Sequence, residues 1–145
     1  MFLGKYSRTM DAKGRLALPA LFQDDLRDGA FMTQGLDRNL QVLTTNAFQQ
    51  VCRRMSSLNL TDPLARLLLR IFLGTAVEVP GVKLTTVQIP DALQQFANLQ
   101  HDVVLVGQGD YFEIWATDLW NQQEAQLADA EANSARFSAL TITTR

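Results

Sequence analysis

At 145 residues the chain is long enough for one or two small domains that bury about two thirds of their unfolded surface. A hydrophobic content of 47% with 19% charged residues is the balance of a folded globular protein and excludes a disordered tail. The formal net charge of −2 hides an imbalance: residues 1–75 carry ten Lys/Arg against six Asp/Glu, and residues 76–145 carry three against nine, so a polyanion is expected to meet the N-terminal end. The longest apolar stretch, LLLRIFL, is interrupted by Arg70 and is too short to span a bilayer, so no membrane partner is expected. The opening lacks a secretory signal pattern and one cysteine offers no internal disulfide, which together predict a cytoplasmic location.

The chain begins MFLGKYSRTMDAKGRLALP, two predicted short strands around the turn DAKGR, Asp11 to Arg15. Asp11 is expected to open the turn and Gly14 to take a left-handed conformation. Arg15 then leaves the tip as a long planar donor suited to a phosphate or the O6/N7 edge of guanine, with Asp11 placed to hold it. Lys13, a compact charge, suits a phosphate. Lys5 and Arg8 add positive charge to the same segment. Taken alone, turn chemistry explains the five residues, and a solvated hairpin tip is the plainer reading.

Pro19 starts a predicted helical turn, and FMTQGLDRNLQVLTT reads as a hairpin. NAFQQVCRRMSSL places Phe48, Val51, Cys52, Met55 and Leu58 on one helical stripe, with Cys52 a small core residue and Arg53 and Arg54 outside it. In TDPLARLLLRIFLG, Asp62 is a predicted N-cap, Pro63 the first helical residue and Gly74 the terminator. That helix is apolar nearly all round, so it is expected to wedge between two units or between subunits. In VPGVKLTTVQIP, Pro80-Gly81 supplies a turn, and alternation puts Val82, Leu84 and Thr86 on one packed face. A second hairpin, VVLVGQGDYFEIWA, follows, with Gly35, Gly107 and Gly109 expected to take positive φ in tight turns. NQQEAQLADAEANSARF reads as an exposed helix, and SALTITTR either frays or pairs.

Superposing Pro90 on Pro19 sets RLALPALFQDDL over TVQIPDALQQFA. One residue of slippage later, Gly35 lies over Gly107, Leu40 over Phe112, Val42 over Ile114 and Phe48 over Trp120. The reading is a duplicated unit: repeat one over residues 5–47, connecting helices over 48–75, repeat two over 76–119, and a C-terminal helix and tail over 120–145. The fold class is mainly β with helices, α+β.

Other chemistry is sparse. His101 stands alone in a predicted turn and makes no common zinc site. Asp24, Asp25 and Asp28 surround a predicted helix end as solvated charge. No nucleophile elbow, Walker loop or dinucleotide fingerprint is present, so no catalytic residue, metal or cofactor is expected and an enzyme is disfavoured.

Three ordered segments, MFLGKYSRTMDAKGRLALPALF, LTDPLARLLLRIFLGTA and VVLVGQGDYFEIWATDLW, resemble the MraZ family of bacterial transcriptional regulators over residues 1–122. The resemblance implies two AbrB-like swapped-hairpin halves interleaved into one pseudo-twofold β-barrel flanked by helices. It also implies ring-shaped homo-oligomers that bind tandem boxes of double-stranded DNA upstream of the cell division and cell wall gene cluster, as a nucleoid-associated protein. In that context DAKGR becomes a DNA contact, with Arg15, Lys13, Asp11, Gly14, Arg8 and Lys5 as its candidate residues. Family members show D-x-x-x-R in both halves. Here the second falls at VKLTT, where Val82 replaces the acid, Thr85 the glycine and Thr86 the arginine, leaving Lys83 as the one cation. The second contact is therefore not carried over. An oligomeric scaffold that has lost specific DNA binding is the alternative, and the intact DAKGR speaks against it.

Overall fold

The computed structural model describes residues 1–80, 85–140 and 142. Its elements in chain order are β1 (Lys5–Thr9), β2 (Arg15–Ala17), α1 (Ala20–Asp25), β3 (Ala30–Gln34), β4 (Leu40–Thr44), α2 (Thr45–Met55), α3 (Pro63–Phe72), β5 (Val77–Val79), β6 (Thr86–Gln88), α4 (Asp91–Phe96), β7 (Asp102–Gly107), β8 (Tyr111–Ala116), α5 (Thr117–Leu127) and α6 (Ala130–Phe137). The succession β-β-α-β-β-α thus occurs on either side of α3.

Six strands form one antiparallel sheet in the order β1-β7-β8-β4-β3-β5, and β2 pairs with β6 in a separate two-stranded ribbon. Exchanging β1 with β5, β3 with β7 and β4 with β8 reverses this order and leaves it unchanged, so the topology has a twofold character. The first strand of each half leaves its own half: β1 pairs along its whole length with β7, and β5 pairs with β3. The axis passes through the Gln41–Glu113 pair of β4 and β8 and through the Leu16–Val87 pair of the ribbon. Two hydrogen bonds extend the ribbon symmetrically, Ile89 N–H to the Gly14 carbonyl at 2.8 Å and Leu18 N–H to the Thr85 carbonyl at 3.0 Å.

The α+β class is as expected, but among the described residues the sheet does not close into a barrel: β1 and β5 are its edges. Among the described residues an isolated pairing of Met10 with Leu16 links the ribbon to the chain leaving β1. The ribbon closes the core with side chains. Leu16 and Val87 point inward while Arg15, Ala17, Thr86 and Gln88 point outward, the period-two alternation of a half-buried strand. Thr86 is thus exposed and belongs to no packed face; Gly81, with the turn expected there, and Val82, Lys83 and Leu84 lie outside the described residues.

The core between ribbon and sheet holds Leu16, Leu40, Val42, Val87 and Ile114 around three phenylalanines. Phe2, Phe22 and Phe112 meet at centroid distances of 4.8 to 5.2 Å, and Tyr6 adds its edge to Phe22 at 5.2 Å. Full burial of each such side chain contributes about 1.5–3 kcal/mol, and the cluster joins the halves, since Phe112 comes from the second and Phe2, Tyr6 and Phe22 from the first. On the opposite face of the sheet, α5 packs Trp120 on Trp115, with Val104 and Val106 beside them, and α2 and α3 build a stack of Phe31, Phe48 and Phe72 at 4.2 and 5.5 Å. Phe48 and Trp120 are each the fourth residue of their helix, α2 and α5.

The α3 N-terminus is capped as read, with Leu64 N–H donating to Asp62 Oδ1 at 2.9 Å and Pro63 opening the helix. Yet α3 is not wedged between the halves: it lies against β3, with Ala65 and Phe72 buried and the Phe72 carbonyl accepting from Thr33 Oγ1 at 2.6 Å. Leu64 and Leu67 stay 72% and 52% exposed. Cys52 is half-buried on α2 and outside the core clusters. The tail is two helices, because the Asp129 side chain accepts from Ala132 N–H and starts α6 anew. Of the final five residues Ile142 is exposed and outside any strand, and 141 and 143–145 lie outside the described residues. Among the three turn glycines only Gly109 has positive φ, +85°. Gly107 is required by proximity instead, since a Cβ there would sit 2.6 Å from Leu3 Cα, and the left-handed residue of the first hairpin is Arg38, not Gly35. No helix among the described residues is long and apolar enough to cross a membrane.

Candidate nucleic-acid interface

The DAKGR turn stands at a corner where the chain changes sheets. Thr9 ends β1 on its β7 partner, Met10 N–H donates to the His101 carbonyl at 2.7 Å, and five residues later Arg15 starts the ribbon with β6. The segment is therefore a turn between two diverging strands more than the tip of a continuous hairpin. His101 serves it through its backbone.

Inside the turn, Gly14 N–H donates to the Asp11 carbonyl at 3.0 Å and Asp11 N–H to the Arg15 carbonyl at 2.9 Å. Gly14 takes φ +76°, the left-handed region where a side chain is disfavoured. The Asp11 carboxylate organises the rest. Its Oδ1 accepts from the backbone N–H of Lys13 at 2.9 Å and of Arg15 at 2.8 Å, and its Oδ2 accepts from Arg15 Nε at 2.7 Å. The Arg15 backbone bond, and then its guanidinium, hold the Asp11 carboxyl below the usual aspartate range, so it is charged at neutral pH. Arg15 and Asp11 are about half exposed, 53% and 42%, so solvent screens the pair and its main effect is orientation.

What this orientation leaves free is the end of the arginine. With Nε tied to Asp11, the two Nη groups of Arg15 have no protein acceptor among the described residues. They form the planar two-donor edge that matches a phosphate or guanine O6/N7. Lys13 is exposed beside it, with its ammonium likewise unpaired among the described residues. Arg8 lies on the half-buried face of β1, its guanidinium 5.6 Å from the Tyr6 ring and Nη1 on the Ser7 carbonyl at 2.9 Å. Lys5 is not brought to the turn. It sits six residues before Asp11, about 20 Å along an extended chain, and its Nζ pairs with Glu124 at 3.1 Å above the Trp120 ring.

Two residues that sequence reading passed over support the turn from the other half. Gln88, cross-strand partner of Arg15, donates Nε2 to the Lys13 carbonyl at 3.3 Å. Gln94 on α4 covers Gly14 and donates Nε2 to the Ile89 carbonyl at 2.6 Å. Gln23 makes the same bond to the Leu18 carbonyl at 2.9 Å in the first half. The alignment of the copies sets Gln23 over Gln94, the one available signal, and it acquires meaning only once the ribbon is seen. In the second copy, the positions matching Gly14 and Arg15 are the exposed Thr85 and Thr86, which offer no long cation.

A family model described as "MraZ protein, putative antitoxin-like" matches residues 1–71 and 87–141. Among curated relatives, a transcriptional regulator MraZ from Carboxydothermus hydrogenoformans is 39% identical over 83% of this chain and 85% of its own length. One from Clavibacter michiganensis is 39% identical over 93% and 94%, and one from Limosilactobacillus fermentum 38% identical over 98% and 100%. These relatives are named as regulators of transcription, not as enzymes. Matches that run through both halves, and through the turn that holds Arg15, establish that the chain belongs to the MraZ family.

Proposed function

We propose that this protein is a sequence-specific DNA-binding regulator of transcription, reading double-stranded DNA through the Asp11–Arg15 turn. The observation that carries this reading is the Arg15 side chain, aimed by Asp11 at Nε and open at both Nη atoms. In the proposed roles Arg15 reads a base edge, Lys13 neutralises a phosphate, Asp11 and Gly14 shape the turn, and Arg8 lends charge from β1; Lys5, paired on α5, lies outside the contact. In this reading the repeats at 5–47 and 76–119 act as one unit, and the D-x-x-x-R pattern belongs to the first. The relatives' name supports a role in transcription, and the exposed Leu64 and Leu67 of α3 support self-association. A ring on tandem boxes before the cell division and cell wall genes is the arrangement in which weak single-turn contacts add through high effective concentration.

The test compares Arg15→Ala with Lys13→Ala in gel shifts against a set of duplexes at several salt concentrations. Arg15→Ala is expected to cost about 1–3 kcal/mol per engaged subunit at the preferred site and to flatten preference among sites. Lys13→Ala is expected to weaken every duplex alike and to reduce the salt slope by about one per lost phosphate contact. Equal, sequence-independent losses from both would refute the assignment, and absence of binding by the wild type would favour a scaffold.

A further inference from the structure

We infer that Gln88 is a specificity-determining residue of the same surface, contributed by the second half and reading the base pair next to the one Arg15 engages; this rests on the DNA-binding reading above. Arg15 and Gln88 are paired across the ribbon, and both point outward while Leu16 and Val87 point into the core. Residues directly opposite in an antiparallel pair have Cα atoms about 4.5–5.5 Å apart. Successive bases on one strand rise by about 3.4 Å, and the major groove admits a two-stranded ribbon. Side chains projecting in parallel from this pair therefore reach neighbouring base pairs.

The chemistry of the two residues runs in parallel. Arg15 has its Nε–H tied within the turn and both Nη groups without an acceptor among the described residues. Gln88 has one Nε2 hydrogen directed at the Lys13 carbonyl, which leaves the second hydrogen and Oε1 as an adjacent donor and acceptor. That pair is complementary to adenine N7 and N6, as the guanidinium end is to guanine O6 and N7. Tethering at one atom reduces the rotamer freedom each side chain loses on meeting a base. A glutamine that only props the turn would need the Lys13 bond alone; its outward position beside the Arg15 fork is what adds a reading edge.

Selection from a randomised double-stranded DNA pool, using the full chain as wild type, Arg15→Ala, Gln88→Ala and Gln88→Glu, tests this. The wild type should enrich a guanine lost in Arg15→Ala and, one position away, an adenine whose preference falls by roughly 5- to 150-fold in Gln88→Ala. Gln88→Glu should move that position toward cytosine, whose N4 donates to a carboxylate. Because no phosphate contact is removed, Gln88→Ala should keep the wild-type salt slope. A base profile unaltered by Gln88→Ala, a uniform loss at every sequence, or a change at a position not next to the Arg15-dependent guanine would each overturn the role of Gln88 while leaving that of Arg15 standing. Failure of Arg15→Ala to change any preference would instead remove the reading on which it rests.

Discussion

Substituting alanine for Gly14 perturbs the turn from two sides. The residue sits at φ +76°, where an alanine costs about 1–2 kcal/mol relative to its ordinary backbone regions. Its new Cβ would also overlap the Gln94 amide and come 2.9 Å from the Ile89 carbonyl oxygen. Gln94 is flexible, but moving it breaks the 2.6 Å bond by which its Nε2 satisfies that same carbonyl, a loss of about 1 kcal/mol. The Ile89 carbonyl is backbone, and retreating from it strains the Ile89 N–H bond to Gly14 that extends the ribbon. Together these set the expected destabilisation at about 2–4 kcal/mol, a drop in Tm of roughly 5–15 °C for a protein of this size. Denaturant titration and thermal melts of the single variant, of Gln94→Ala and of the double variant make the assay a cycle. In the Gln94→Ala background the amide is gone, so the penalty of alanine at 14 should fall toward its backbone part alone, giving a coupling of about 1 kcal/mol or more. A Gly14→Ala protein that melts within a degree of wild type, or a cycle with no coupling, would refute the account of Gly14 as a left-handed residue sealed by the second half.

Glu113 offers a pH test. Burial is the main cause that raises its carboxyl above the ordinary 4.5, against the bonds from Trp115 Nε1 and Asn39 Nδ2, with the Asp37 charge adding a smaller push upward. The folded state thus binds this proton more tightly than the unfolded one, so stability falls as pH rises from about 4.5 through the raised value. The Tm of Glu113→Gln relative to wild type should climb across that window, and a gap constant between pH 4 and pH 8 would contradict it. Self-association should depend on α3: Leu64→Asp with Leu67→Asp is expected to reduce the mass in light scattering to that of one chain while costing less than about 1 kcal/mol in the fold, since both side chains are exposed. An assembly of unchanged mass would move the interface elsewhere.

Features governed by a few neighbouring residues were legible in the sequence. Asp62 and Pro63 start α3 because an orphan N–H needs an acceptor and proline has none to lose. Asp11 and Gly14 make their turn because one supplies a carboxylate to nearby amides and the other a positive φ. Repetition of the apolar pattern anticipated that β-β-α-β-β-α would occur twice. Partners were another matter. That β1 would cross to β7, that Gln88 would come beside Arg15 from 73 positions away, and that Lys5 would be drawn to Glu124 on α5 are outcomes of pairing between distant segments. Strand periodicity specifies which face a residue occupies and says nothing of which edge lies next to it. The same limit explains α3, whose apolar surface could be counted from composition while the portion covered by β3 depended on where the sheet ended. Local steric and hydrogen-bonding preferences therefore shaped the Asp11–Arg15 turn, and the exchange of strands between the halves decided what stands beside it.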